Sequence, residues 1–302
     1  MSRSPSWVHR TKAAAWVLAA SAALVVSAGC GGEGEPVARL KVDPATIELP
    51  HGSFVDLRFA WEQLAPLGGA SDSRRVFVHL LDAEGRLVRT FDHDPEGPWR
   101  AGESWTYTTR IYQSFLAPPL PPGTYALTAG LYDAEGNRWP LAVEGETVDE
   151  GEYQVARVEV PESGPDQPTL AFSQAWSPTL AGSDRQVLGY RWLNGTGEIA
   201  LQEVPGSGTL WLGLRVPPEG GELQRRMNDP EAPAGAAPRV EIDTSCSGFQ
   251  AQVSGEGAHR VDVPVTPEGE GCTVTLDPNY VMATLAGDRH SLSIEVVAWR
   301  GE

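Results

Sequence analysis

The strongest constraint on this chain is the shortness of its apolar alternations and how regularly proline and glycine interrupt them. "FVDLRFAW" (54–61) places Val55, Leu57, Phe59 and Trp61 on one face of an extended segment, which is the two-residue period of a strand with one buried side. "RVFVHLLD" (75–82), "SWTYTTRI" (104–111), "TYALTAGLYD" (124–133) and "EYQVARVEV" (152–160) continue the pattern. With 25 prolines and 33 glycines in 302 residues, the chain after the leader is punctuated throughout and reads as short strands. The expectation is an all-β protein of short strands and turns.

The second half reads the same way. "GYRWLNGTGEIAL" (189–201) is a strand, an Asn-Gly turn and a strand. "TLWLGLRV" (209–216) alternates without a break, with Leu210, Leu212, Leu214 and Val216 on one side and Trp211, Gly213 and Arg215 on the other. "RVEIDTS" (239–245), "HRVDVPV" (259–265), "CTVTL" (272–276) and "SLSIEVVAW" (291–299) supply enough strands for a second pair of sheets. Two sandwich domains are therefore expected, over 38–160 and 169–302, joined by the polar linker "PESGPDQP" (161–168). The proline-rich stretch 217–238 has too few apolar residues to fold alone and reads as a mobile loop.

Two near-repeats, "LLDAEGRLV" (80–88) and "LYDAEGNRW" (131–139), read as hairpin turns in which aspartate opens the turn and glycine takes the left-handed position. Asp82, Glu84, Asp133 and Glu135 lack the longer oxygen-rich loop that calcium requires. His79 sits within an apolar strand and reads as a packed histidine. "DHDP" (92–95), which carries His93 between Asp92 and Asp94, has the look of a turn. No metal ligand set and no cofactor motif is recognisable: phosphate-cradling, dinucleotide-binding, nucleophile-elbow and zinc-protease patterns are all missing from the sequence.

The first 29 residues have a separate logic. Arg3, Arg10 and Lys12 precede the uncharged run 13–29, which is short for a bilayer span and closes on small residues, as a signal peptide does. "SAGC" (27–30) resembles the lipobox of bacterial lipoproteins, with Ser27 where leucine is usual. The resemblance implies cleavage before Cys30, lipidation of that cysteine and a short tether over 30–37. Several acyl chains would anchor the protein durably to a membrane. Gly31 in place of aspartate points to the outer membrane if the organism has two membranes, and otherwise to the outer face of the cytoplasmic membrane. Cleavage would take the formal charge from −17 to −20, and a surface with 40 acidic and 23 basic residues argues against nucleic acid as a partner. Export also leaves Cys246 and Cys272 in an oxidising compartment, where a disulfide is expected.

"LPPGTYALTAGLYD" (120–133) resembles the corner between the fifth and sixth strands of immunoglobulin and fibronectin type III sandwiches, with Tyr125 as the corner tyrosine. Together with "VFVHLLDAEGRLV" it is similar to immunoglobulin-like ectodomain modules of bacterial surface proteins, which implies a fold and no catalytic residue. "AWSP" (175–178), "YRW" (190–192) and "GDRHSLSIEVVAW" (287–299) resemble jelly-roll modules of bacterial surface and polysaccharide-related proteins. Trp176, Tyr190, Trp192, Trp211 and Tyr280 are the aromatic candidates for stacking on a sugar, although sandwich aromatics more often pack in cores. Alternation must send Trp211 and Arg215 to the outer face of their strand, which makes them the best-argued candidates for a partner or glycan surface. Two functions follow as expectations: a non-catalytic envelope lipoprotein that binds a protein or glycan, or a hydrolase of envelope polysaccharide with an acid pair in a cleft between sheets or domains.

Overall fold

The computed structural model describes residues 34–302, apart from 68–73, 163–165, 221–222, 229–230, 232–235, 268–270 and 285–286. The leader, Cys30 and the first residues of the tether lie outside the described residues, as does the middle of the linker. Everything described is strand, turn or loop, with no helix.

The first sandwich packs two sheets. One runs in the order Ser104–Tyr112, Phe54–Gln63, Ala38–Asp43, Leu141–Ala142. Facing it are Thr147–Asp149, Glu152–Val160, Gly123–Tyr132, Arg75–Leu81 and Leu87–Thr90, with Thr46–Glu48 added in parallel to Glu152–Val160. The alternation works as the sequence requires. Ala38, Leu40, Val42, Leu57, Phe59 and Trp61 join Val76, Val78, Leu127 and Val158 in one core, while Arg39, Lys41 and Asp43 face water. The Tyr125 hydroxyl donates to the Pro121 carbonyl at 2.7 Å, which is the tyrosine corner. Both near-repeats are tight turns. Asp82 accepts from the Arg86 backbone N–H at 2.8 Å and Asp133 from that of Asn137 at 2.8 Å, and Gly85 and Gly136 have φ of 75° and 85°. Those carboxylates are occupied by backbone donors.

The second sandwich is a jelly roll. Eight strands, Gly189–Leu193, Gly197–Gln202, Gly208–Val216, Arg239–Thr244, Gln250–Ser254, Gly257–Val265, Gly271–Pro278 and Leu292–Gly301, pair first with last, second with seventh, third with sixth and fourth with fifth. That nested antiparallel order is the signature of the fold. Between its sheets lie Leu193, Ile199, Leu210, Leu212, Leu214, Ile242, Val263, Val274 and Val297.

One expectation needs correction. Part of the segment read as a mobile loop, 217–238, is a strand: Leu223–Met227 pairs with Tyr280–Thr284, which pairs in turn with Arg289–His290. Leu223 and Met227 pack against the jelly-roll core, and these two anchors four residues apart on one face are enough to hold a short strand despite the surrounding prolines.

Cys246 and Cys272 form a disulfide with their Cα atoms 5.2 Å apart, inside the jelly roll. Closing a loop between residues 26 apart should stabilise the fold by about 3 kcal/mol through the entropy of the unfolded chain. Cys246→Ser is expected to lower the free energy of urea unfolding by that amount under oxidising conditions and not at all under reducing ones, where the wild type is destabilised equally.

Candidate functional site

The two sandwiches meet through strand Leu292–Gly301. It is longer than its neighbour Gly189–Leu193, which covers only Leu292 to Ile294. Beyond that point its free edge is taken up by the first sandwich. The Phe115 N–H donates to the Val297 carbonyl at 2.8 Å, the Val297 N–H donates to Ser114 Oγ at 3.1 Å, and the Trp299 N–H donates to the Gly52 carbonyl at 2.7 Å. Gly52 has φ of 73°, and a Cβ there would stand 2.3 Å from the Phe115 ring, so only glycine fits.

Against this seam lies a small apolar cluster of Phe54, Trp211, Val296 and Ala298, with Tyr112 packed on it. Trp211 does point to the outer face, as the alternation demands, yet its exposure is only 3 %. Its ring meets Tyr112 edge-on at 4.8 Å and Phe54 at 5.8 Å. The expectation of an open Trp211 surface is therefore corrected: Phe54 and Tyr112 of the first sandwich cover it.

Arg110 ties the cluster together. Its guanidinium lies over Phe54 and Trp211, with ring centroids at 4.1 and 5.0 Å. It donates to Asp56 of its own sandwich at 2.7 Å and to Asp262 of the other, while Arg300 donates to Asp56 at 2.8 Å. Burial alone would raise the Asp56 carboxyl, but hydrogen bonds and charge from Arg110 and Arg300 outweigh it and hold the pKa below the ordinary value.

Beside the cluster is a cavity of about 170 Å³ between the sandwiches. Trp211, Gly213, Arg215, His259, Arg260 and Glu295 form its jelly-roll wall, facing His93 and Tyr112 of the first sandwich and the loop at Asp184–Val187. Arg215 is bidentate to Glu295 at 2.6 and 3.1 Å. His93 is a packing histidine that contacts the Phe91 carbonyl, the Tyr107 hydroxyl and Thr109, and burial lowers its pKa.

The remaining aromatic candidates divide. Trp176 is buried, with its indole N–H on the Glu198 carbonyl at 3.2 Å, and Tyr280 is fully enclosed. Both are core residues, which corrects the expectation of stacking platforms. Tyr190 and Trp192 are half-buried on the outer face, 5.8 Å apart and perpendicular, and His290 stacks on Trp192 at 4.7 Å. Leu180, 38 % exposed, pairs with Tyr190 and extends this patch.

His79 is a packed histidine, stacked on Phe77 and hydrogen-bonded to Glu152. It lies between Glu152 at 3.3 Å and Asp92 at 3.7 Å, and Glu152 is also held by Thr128 and Arg138. Glu152 comes from a distant strand, so no local pattern marks it. Phe54 and Tyr112 carried a legible sign, since an aromatic at an outward strand position needs a cover. Among the described residues no group of three or more His, Cys, Asp or Glu side chains gathers to hold a metal ion.

No family profile and no curated protein matches this chain. Among solved structures it is similar to a Bacteroides uniformis β-glucuronidase, with 10 % identity and a TM-score of 0.26 over 88 % of this chain and 30 % of that one. It is also similar to the E. coli α2-macroglobulin, with 11 % identity and a TM-score of 0.23 over 90 % of this chain and 15 % of that one. The chain thus spans less than a third of either, and likeness at this level carries no argument about function.

Two outcomes follow from the seam. Trp211→Ala is expected to destabilise the protein by about 3–5 kcal/mol, as for a buried tryptophan, and calorimetry showing an unchanged melting temperature would refute its packing role. Because the folded pKa of Asp56 is depressed, its stabilisation is complete above the unfolded carboxyl pKa of about 4 and is lost as pH falls through the folded value. Urea midpoints measured downward from pH 5 should drop more steeply for the wild type than for Arg110→Met; parallel curves would remove Arg110 as the cause.

Proposed function

We propose that the protein is a lipid-anchored envelope protein that binds a glycan or a partner protein and performs no chemistry on it. The observation that carries this reading is the patch of Leu180, Tyr190, Trp192 and His290. Leu180 is exposed and the three rings are half-buried on a sheet face of which another part is covered by the first sandwich. Flat rings at that level suit stacking against a sugar or an apolar protein surface. Anchoring in the cell envelope is supported by the leader and by the S-A-G-C stretch ending at Cys30, and the outer membrane, if there are two, by Gly31 in place of aspartate.

Hydrolysis of envelope polysaccharide is the weaker reading. A glycosidase acid must keep its proton near neutral pH, whereas every described carboxyl with a displaced pKa, Asp56 and Glu152 among them, is displaced downward.

Detergent phase partitioning and envelope pull-down test the proposal together. Full-length wild type should enter the detergent phase and Cys30→Ala the aqueous phase. Trp192→Ala should partition as wild type but recover at least about fivefold less of the bound glycan or protein, as when a stacking ring is lost. Wild type in the aqueous phase would sink the anchor, and undiminished recovery by Trp192→Ala would sink the patch.

A further inference from the structure

The first sandwich has two ends, and the chain uses them differently. At one end Gly52, Ser114 and Phe115 hold the jelly roll. The other end lies a full strand away, since Phe54–Gln63 has 10 residues and spans about 30 Å. There Ala38 pairs with Gln63, and the Val37 N–H donates to the Pro140 carbonyl at 2.9 Å. The Val37 carbonyl accepts from Leu64 and Ala65 at 2.9 and 3.1 Å, and a Cβ at Gly34 would meet the Pro140 ring at 3.8 Å. Gly34 follows Cys30 by four residues. A chain that rises at most about 3.6 Å per residue therefore keeps this end within about 15 Å of an acylated Cys30.

The side chains at this end suit an apolar boundary. Leu64 is 39 % exposed, and Pro36 and Pro66 are exposed with it. Trp99, Trp105 and Trp139 are half-buried at the same end, each resting on the core of the sandwich. Trp99 meets Trp61 at 5.3 Å and Trp105 at 4.7 Å. Its φ of 44° lies in the left-handed region that bulky residues seldom occupy. What Trp99 and Trp105 leave open is not the indole N–H, which is enclosed in both. Three acids at this end each face an arginine: Glu62 and Arg39, Asp94 and Arg75, Glu103 and Arg100. That pairing limits the repulsion between an acidic protein and phosphate headgroups.

We propose that this end of the first sandwich docks on the headgroup layer of a phospholipid surface, with Leu64, Trp99 and Trp139 entering the layer and the strands rising from it. The inference rests on the lipid anchor at Cys30 and adds a docking face and an orientation to it. Tryptophan rings are favoured at the level where headgroups meet acyl chains. A few such side chains would bind a membrane weakly alone, but the anchor makes their contact intramolecular, so a small area suffices. The seam with the jelly roll then stands about 30 Å from the lipid, at the other end of the strands.

Quenching by lipid tests it, on the full-length lipidated protein reconstituted in phosphatidylcholine vesicles with and without an acyl-brominated phosphatidylcholine. Bromine quenches on contact, so the tryptophan fluorescence of the wild type should fall. A double variant, Trp99→Phe with Trp139→Phe, keeps aromatic packing and removes the reporting indoles; Leu64→Asp places a charge on an exposed side chain. Each should cut the quenching by about half or more. Trp192→Phe, the jelly-roll counterpart, should be quenched as the wild type is. Failure of the wild type to float with the vesicles would overturn the anchor and the docking together. Flotation without quenching would overturn the docking alone. Undiminished quenching in either of the first two variants, or its loss in Trp192→Phe, would do the same.

Discussion

The free edge of strand Leu292–Gly301 governs the way the two domains are joined. Its antiparallel pairing with the neighbouring strand stops at Arg191 opposite Ile294, so the carbonyl and N–H of Val297 and the N–H of Trp299 need partners from elsewhere. Buried backbone groups left unpaired cost on the order of 1–3 kcal/mol each. The first sandwich supplies those partners from Gly52, Ser114 and Phe115. The jelly roll thus finishes one of its own sheets with backbone from the preceding domain, and Leu116 reaches into its core as well. Side-chain packing of Trp211, Phe54 and Tyr112 then follows from a geometry already set by hydrogen bonds.

Arg110 acts on that geometry differently. Replacing partly buried ion pairs by apolar residues is often neutral for stability, while removing one partner is costly. A guanidinium that must satisfy Asp56 and Asp262 together while lying over Phe54 and Trp211 tolerates few relative orientations of the sandwiches. Its main contribution is to orientation. The apolar contacts and the backbone seam supply the adhesion.

Much of this was legible in the residues. Alternation placed the core of both sandwiches and sent Trp211 outward, and the near-repeated Asp-Ala-Glu-Gly turns and the Tyr125 corner are local patterns that the structure reproduces. What covers an outward residue is not local. Phe54 and Tyr112 lie roughly 150 and 100 residues before Trp211, and only their own outward positions hinted that a partner surface was required. Composition misled in 217–238, where prolines outweighed the two apolar anchors Leu223 and Met227. The His79–Glu152 contact was illegible for the same reason as the seam, since it joins strands far apart in the chain.

The outer sheet face of the jelly roll is consequently divided into three parts along its length. Nearest the seam, Trp211 and Ala298 are sealed under Phe54. In the middle, Gly213 lets Val296 come close, since a Cβ at residue 213 would stand 2.9 Å from that of Val296, and the cavity of about 170 Å³ lies against this stretch. On the neighbouring strand Gly189–Leu193, Tyr190 and Trp192 are half-buried. The loop at Asp184–Val187 lines that cavity and is itself tied to the first sandwich through Arg185 to Leu87 and Tyr112 to Gln186. The contacts that orient the two sandwiches therefore also shape the cavity between them.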